Sequence, residues 1–281
     1  AGSAGLMTAR MLVKGVAAEQ VSALDRGLAY GDGLFESIRL VGTVAPLWSR
    51  HMRRLAASCE RLRMPAPDTT QLWREAQEVT RDMPHSVVRI TLTRGIGERG
   101  YALPVAPRPT RVVVAFAPPQ TPRQIYAQGA RMRVCDIRLA EQPLLAGMKH
   151  LNRLEQVLAR AEWSDPVIAE GVLCDSHDRV ISATMANLFA VVDGELLTPA
   201  LDRCGVAGVA LAEVRATYPQ IQVDELTLDC LLGASEVFLS SSVRGILPVR
   251  SLGERDYAVG EITRELQQHW RNLGFSMEQG G

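Results

Sequence analysis

Only two of the 31 Lys and Arg residues in this chain are lysines, Lys14 and Lys149. Arginine stays protonated far above neutral pH, whereas lysine can lose its proton and attack a carbonyl carbon. In a chain that otherwise writes its cations as arginine, each lysine is worth testing as a nucleophile. Lys14 lies in Leu12-Val13-Lys14-Gly15-Val16, a strand–turn–strand pattern with Lys-Gly at the turn. Lys149 lies in Ala146-Gly147-Met148-Lys149-His150-Leu151-Asn152-Arg153-Leu154-Glu155-Gln156. The apolar residues Leu151, Leu154, Val157, Leu158 and Ala161 predict an amphipathic helix starting directly after the lysine. The amine would then stand at a loop–helix junction, able to project from a firm support.

Two glycine-rich stretches could meet phosphate. Cys204-Gly205-Val206-Ala207-Gly208-Val209-Ala210 precedes an expected helix running to Tyr218. Glycines let backbone amides approach a phosphate, and a helix N-terminus favours its charge. An ordinary helix start after a glycine turn would read the same. Gly95-Ile96-Gly97-Glu98-Arg99-Gly100 matches the dinucleotide pattern G-x-G-x-x-G. That motif needs a helix immediately afterwards. Here Tyr101-Ala102-Leu103-Pro104 follows, then Pro107 and Pro109, so the stretch reads instead as a mobile loop carrying Arg94 and Arg99.

The elements that must position these residues are short and mixed. Strands are expected at 44–47, 87–93, 111–117, 131–137, 170–174, 188–192 and 237–239. Helices are expected at 49–62, 68–81, 151–163, 209–218 and 259–273. Pro118-Pro119-Gln120-Thr121-Pro122 can continue neither. We read an N-terminal α+β domain at 7–117, a linker at 118–122 and a C-terminal α+β domain at 123–281. Ala1–Leu6 reads as a remnant before a native start near Met7.

The 281 residues are 47% hydrophobic and 22% charged, a globular composition. Net charge is +0, so nothing in the charge balance calls for nucleic acid or an anionic membrane surface. Apolar runs such as Val112–Ala117 are too short to span a bilayer. No signal-peptide pattern opens the sequence. The five cysteines are scattered without a C-x-x-C pair, which suits free thiols in a reducing cytoplasm. The histidines lack ligand spacing, and no metal site is expected.

Four segments carry a family resemblance. They are Asp25-Arg26-Gly27-Leu28-Ala29-Tyr30-Gly31-Asp32-Gly33-Leu34-Phe35-Glu36, His51-Met52-Arg53-Arg54-Leu55, the segment around Lys149, and Ala186-Asn187-Leu188-Phe189. In this order they resemble the class IV aminotransferases over nearly the whole chain. The resemblance implies a two-domain α+β fold of the D-amino-acid aminotransferase-like type (PLP fold type IV). It implies pyridoxal 5'-phosphate (PLP) as cofactor, with Lys149 as the Schiff-base lysine. It also implies Arg54, the amides of Val209 and Ala210, and Ser242 at the phosphate, with Asn187 at the cofactor. The string Lys149-His150-Leu151-Asn152-Arg153-Leu154-Glu155-Gln156 favours the lyase branch, which converts 4-amino-4-deoxychorismate to 4-aminobenzoate and pyruvate, over the transaminases.

One position departs from the pattern. The family places a glutamate five residues before the asparagine, opposite the pyridine nitrogen; this chain has Ser182. A hydroxyl cannot hold a proton on that nitrogen as a carboxylate does. Transamination needs a long-lived ring carbanion and should suffer more than elimination to an aromatic product. Glu170 and Asp175 are alternative sources of the carboxylate. The substrate of the lyase branch carries two carboxylates, for which Arg94, Arg99 and Arg244 are candidates, with Tyr30 shaping the cleft. The resemblance further implies a homodimer. A D-amino-acid or branched-chain aminotransferase is the alternative activity, and an inactive homologue is permitted by Ser182.

Overall fold

The computed structural model of the chain describes residues 10–275; Ala1–Leu6 lies outside them. Contacts divide the chain into two units. One holds the described residues up to Pro118 together with Lys149–Asn152; the other holds Pro119–Met148 and the described residues from Arg153 onward. One crossing thus falls inside the proline-rich stretch. Lys149–Asn152 parts from its sequence neighbours and joins the first unit.

The first unit contains β1 (Met11–Val13), β2 (Val16–Ala17), α1 (Arg26–Tyr30), β3 (Gly33–Val41), α2 (Trp48–Arg61), α3 (Thr69–Val79), β4 (His85–Thr93) and β5 (Thr110–Phe116). The strands form an antiparallel sheet in the order β2-β1-β5-β4-β3. Side chains alternate across it. Leu34, Ile38 and Leu40 of β3 and Val88, Ile90 and Leu92 of β4 share a core with Met52, Leu55 and Cys59 of α2 and Leu72, Ala76 and Val79 of α3. The alternate residues Phe35, Ser37 and Arg39 of β3 and Arg89 and Thr91 of β4 therefore turn to the sheet's other face. Asp68 caps α3, accepting from the amides of Thr70 and Gln71.

Two expectations are corrected here. The strand expected at 44–47 is a single bridge from Val44 to Val41, across a turn at Gly42 with φ 59°. The bend and Pro46, which has no N–H, stop a ladder from extending. The helix expected directly after Lys149 starts only at Leu154. The intervening backbone pairs with the edge strand β3 instead, as described below.

The second unit contains α4 (Arg123–Gln128), β6 (Ala130–Leu139), α5 (Leu154–Ala161), β7 (Ile168–Asp175), β8 (Arg179–Ala183), β9 (Asn187–Val192), β10 (Glu195–Pro199), α6 (Val209–Thr217), β11 (Gln222–Asp224), β12 (Leu226–Thr227), α7 (Leu228–Gly233), β13 (Glu236–Ser241), β14 (Gly245–Leu252), β15 (Arg255–Asp256) and α8 (Glu261–Asn272). Its mixed sheet runs β11-β10-β9-β13-β14-β6-β7-β8-β12, with β15 on β14. Buried Leu188, Ala190, Val237, Leu239, Leu247 and Val249 form its centre. Phe189 and Phe238 stack with centroids 4.7 Å apart. No described helix is long and apolar enough to cross a membrane.

Candidate active site

Lys149 is fixed by its backbone. Phe35 N donates to Lys149 O, and Leu151 N donates to Gly33 O, each at 3.0 Å. His150 bridges to Leu34 in antiparallel register. A helix starting directly after the lysine would have to give up these pairings of Lys149 O and Leu151 N. The side chain lies over β3, with Nζ 4.3 Å from the Phe35 ring centroid.

The next residue of β3, Glu36, faces the helices and is 1% exposed. Arg54 of α2 donates to it twice, Nε to Oε1 at 2.8 Å and Nη2 to Oε2 at 2.5 Å. His51 Nδ1 lies 2.6 Å from Oε2. Burial alone would push the Glu36 carboxyl up, but the Arg54 charge and the His51 and Arg54 hydrogen bonds win and hold it at about 2. The His51 imidazole, fully buried, is pushed below its ordinary value by burial; Glu36 opposes the shift, while Arg54 and Lys149 reinforce it. A neutral ring donating Nδ1–H to Glu36 leaves Nε2 as a lone pair, and that buried atom has no hydrogen-bond partner.

The arginines singled out from the sequence have different settings. Arg94 is 3% exposed. Its Nε meets Asp32 at 2.8 Å, and its terminal nitrogens donate to the carbonyls of Arg63 at 3.0 Å and Leu62 at 2.8 Å. All three nitrogens are engaged. Arg99 is exposed. No helix follows the glycine-rich loop around it. Arg26 donates to the carbonyls of Gly100 and Ala102 in this loop. Tyr30 accepts from Gly100 N at 3.1 Å and packs on Tyr101. Sequence reasoning overlooked Arg89, whose guanidinium carbon is 4.4 Å from the same Phe35 centroid. The signal was available: alternation in Val88-Arg89-Ile90 puts the arginine opposite the core-facing residues.

In the second unit, Asn187 and the glycine turn come together. Asn187 Nδ2 donates to Val206 O at 2.9 Å. A Cβ on Gly208 would fall 2.0 Å from Asn187 Oδ1, so a larger residue there would have to displace the Asn187 side chain. Gly208 caps α6 without a side-chain hydrogen bond, and Val209 and Ala210 follow it, both buried. First-turn amides have no partner within their own helix. Asn187 is paired in register with Ser240 of β13, whose buried Oγ has no hydrogen-bond partner. Ser242 follows the end of that strand.

Ser182 lies on β8 opposite Leu173, 8% exposed, and the register shifts beside it. Ile181 is the extra residue of this bulge. Its Cγ2 would lie 2.8 Å from a Cβ at Gly205. Both alternative carboxylates are engaged elsewhere. Glu170 accepts from the Thr184 hydroxyl at 2.5 Å and pairs with Arg244. Asp175 accepts from Arg179 Nε at 2.7 Å and from the amides of His177 and Arg179.

Burial raises the thiols of Cys59 to about 11 and of Cys135 and Cys204 to about 12, so they are poor nucleophiles at neutral pH. Among the described residues, Glu141, Asp175 and His177 could together face a metal ion. Arg179 already pairs with both acids, and a guanidinium fills the cation's role.

The profile of the family Amino-transferase class IV matches residues 33–252. An aminodeoxychorismate lyase from Vibrio harveyi is 35% identical over 91% of this chain and 97% of its own. A crystal structure of 4-amino-4-deoxychorismate lyase from Pseudomonas aeruginosa superposes with TM-score 0.88 at 45% identity, covering 93% of this chain and 98% of that one. A D-alanine aminotransferase from Staphylococcus aureus is 28% identical over 89% of this chain and 90% of its own.

Proposed function

This chain belongs to the class IV aminotransferase family, and from that premise we propose that it is a PLP-dependent lyase converting 4-amino-4-deoxychorismate to 4-aminobenzoate and pyruvate. The observation that carries the reading is the placement of Lys149, an amine pinned by backbone pairing beside the buried Glu36–His51–Arg54 cluster. Full-length similarity to lyases, greater than to the D-alanine aminotransferase, selects the reaction.

The residues fit the cofactor. The cap of α6 lacks a side-chain acceptor, Gly208 lies close against the Asn187 side chain, and the Ser240 hydroxyl is buried without a partner. Such a cradle suits a phosphate. We assign Lys149 Nζ as the covalent anchor. Arg54, the amides of Val209 and Ala210, and Ser242 would hold the phosphate. Asn187 would shape the turn, and Ser182 would offer the ring nitrogen a hydroxyl. When bound, PLP supplies a carbonyl that links to an amine and a ring that accepts the electron pair of a broken C–H bond.

Lys149 Nζ, once released, is the base that takes the proton from the amine-bearing carbon. The C–O bond to the enolpyruvyl group then breaks, the six-membered ring becomes aromatic, and a proton returned to the departing enol gives pyruvate. Glu36 keeps Arg54 in one orientation throughout, and burial keeps His51 neutral. The reading extends to a homodimer, and to the cytoplasm, a reducing compartment that suits free, mostly buried cysteines.

The test is to supply 4-amino-4-deoxychorismate to the PLP-loaded protein. Equimolar 4-aminobenzoate and pyruvate are expected; alanine consumed with pyridoxamine phosphate formed, and no 4-aminobenzoate, would overturn the assignment in favour of a transaminase.

A further inference from the structure

Ser182 on β8 is 8% exposed, and no described residue makes a hydrogen bond to its hydroxyl. A hydroxyl taken this far out of water costs free energy until a partner is supplied, so it is open to a ligand. Its place in the fold indicates which one. The neighbouring Ile181 packs on the glycine turn, where a Cβ at Gly205 would lie 2.8 Å from Ile181 Cγ2. The same turn exchanges two hydrogen bonds with Gly147. Gly147 N donates to Gly205 O and Ala207 N donates to Gly147 O, each at 3.0 Å. Lys149 follows Gly147 by two residues, and the turn itself leads into the first amides of α6.

No acid on the paired strand is free to take the place of this hydroxyl. β7 carries two fully buried carboxylates, Glu170 and Asp175. Glu170 Oε2 accepts from Thr184 Oγ1 at 2.5 Å, and Oε1 pairs with Arg244. Asp175 Oδ2 accepts from Arg179 Nε at 2.7 Å, and Oδ1 accepts from the amides of His177 and Arg179 at 2.9 and 3.0 Å. All four oxygens are engaged, and turning either acid elsewhere would strip a guanidinium of its partner.

We propose that Ser182 meets the ring nitrogen of PLP as a neutral hydroxyl, leaves that nitrogen unprotonated, and so makes the chain specific for elimination over transamination. This rests on the reading of Lys149 as the PLP anchor. The ring nitrogen lies opposite the carbon bearing the aldehyde, so in a molecule held at Lys149 and at the α6 turn it is the polar atom left to be met. A carboxylate would hold a proton there, whereas a hydroxyl donates its own hydrogen bond and brings no charge. Without the positive charge the ring is a weaker acceptor of an electron pair. Transamination needs the pair kept on the ring until a proton returns to the carbon derived from the aldehyde. Elimination does not. As Lys149 Nζ takes the proton from the amine-bearing carbon, the electron pair forms the third double bond of the substrate's ring. The C–O bond on the adjacent carbon breaks, and its electrons leave with the enol oxygen, which is protonated on the way to pyruvate.

The test begins with Ser182→Ala, which should bind PLP roughly two- to tenfold more weakly, the loss of one neutral hydrogen bond. A PLP analogue with C–H in place of the ring nitrogen should bind variant and parent equally. Equal losses for the two cofactors, or no loss for either, would overturn the contact. Protonation is read directly from the nitrogen-15 signal of ring-labelled PLP on the parent. A neutral-pyridine position is expected, and a pyridinium position overturns the proposal. In PLP-loaded Ser182→Glu the signal should move to the pyridinium position, and D-alanine should convert PLP to pyridoxamine phosphate faster than in the parent. A loaded variant in which neither changes also overturns it; if Ser182→Glu takes up no PLP, the first two measurements decide. A parent that releases no 4-aminobenzoate, yet has the unprotonated nitrogen and the loss confined to PLP, would end the lyase reading and leave the Ser182 contact standing.

Discussion

Among the described residues Lys149 is the amine placed against Phe35, so the alanine variant should lose both the visible band of bound PLP and product formation. A borohydride-stable PLP adduct surviving in Lys149→Ala would put the anchor elsewhere. Arg54 has a double task. Truncating it to alanine removes a proposed phosphate ligand and leaves Glu36 charged, 1% exposed and short of its main partner. Breaking a buried pair from one side costs about 3–5 kcal/mol. Adding Glu36→Gln to Arg54→Ala should return part of that stability in urea unfolding while PLP affinity stays low; no recovery would mean that the pair is not coupled. His51 makes the fold acid-sensitive. Its native pKa lies below the ordinary 6.5, so the unfolded chain binds more protons and stability falls as pH drops through 6.5. Glu36 adds to this from its ordinary 4.5 down to about 2, a range over which its stabilising charge is lost. His51→Gln should flatten the fall in urea midpoint between 6.5 and 4.5; an unchanged slope would clear His51 of the effect.

Among the elements, the start of α6 is the most constrained. Gly208→Ala would push a methyl to within 2.0 Å of Asn187 Oδ1, far inside contact distance. Either the turn or the side chain must move, and the amides of Val209 and Ala210 move with the turn. PLP affinity should drop at least severalfold in equilibrium dialysis, while the same change at Gly194, where a Cβ meets nothing within 4 Å, should leave it intact despite the strained φ of 83°. Equal affinities would remove this turn from the phosphate site. The edge strand β3 works differently. It lends one face to the core and the other to Phe35, and it offers its free backbone edge to the segment holding Lys149. An edge strand that pairs with a passing segment is also protected from pairing with another chain.

For the whole molecule, a cofactor held only by the native state should stabilise it. At one hundred times its dissociation constant PLP should add about 2.7 kcal/mol, read as a rise in unfolding midpoint that disappears in Lys149→Ala. A midpoint indifferent to PLP would mean that the native and unfolded chains bind it equally. The sequence by itself determined the family, through ordered motifs, and most of the elements, through periodicity. Alternation in β4 and β5 and the apolar spacing of α2 and α3 are local signals that need no partner to be read. It also marked Lys149, because one residue type was scarce. Three features depended on the tertiary structure. Lys149–Asn152 pairs with β3, a contact made across more than a hundred residues of chain, so the helical spacing after the lysine misplaced the helix start. Arg94, Arg244, Glu170 and Asp175 had looked available as isolated charges, yet each has a partner distant in sequence or supplied by a turn. Arg89 meets the Phe35 ring only because β4 pairs with β3 in one register, a contact between residues far apart in sequence that folding alone brings together.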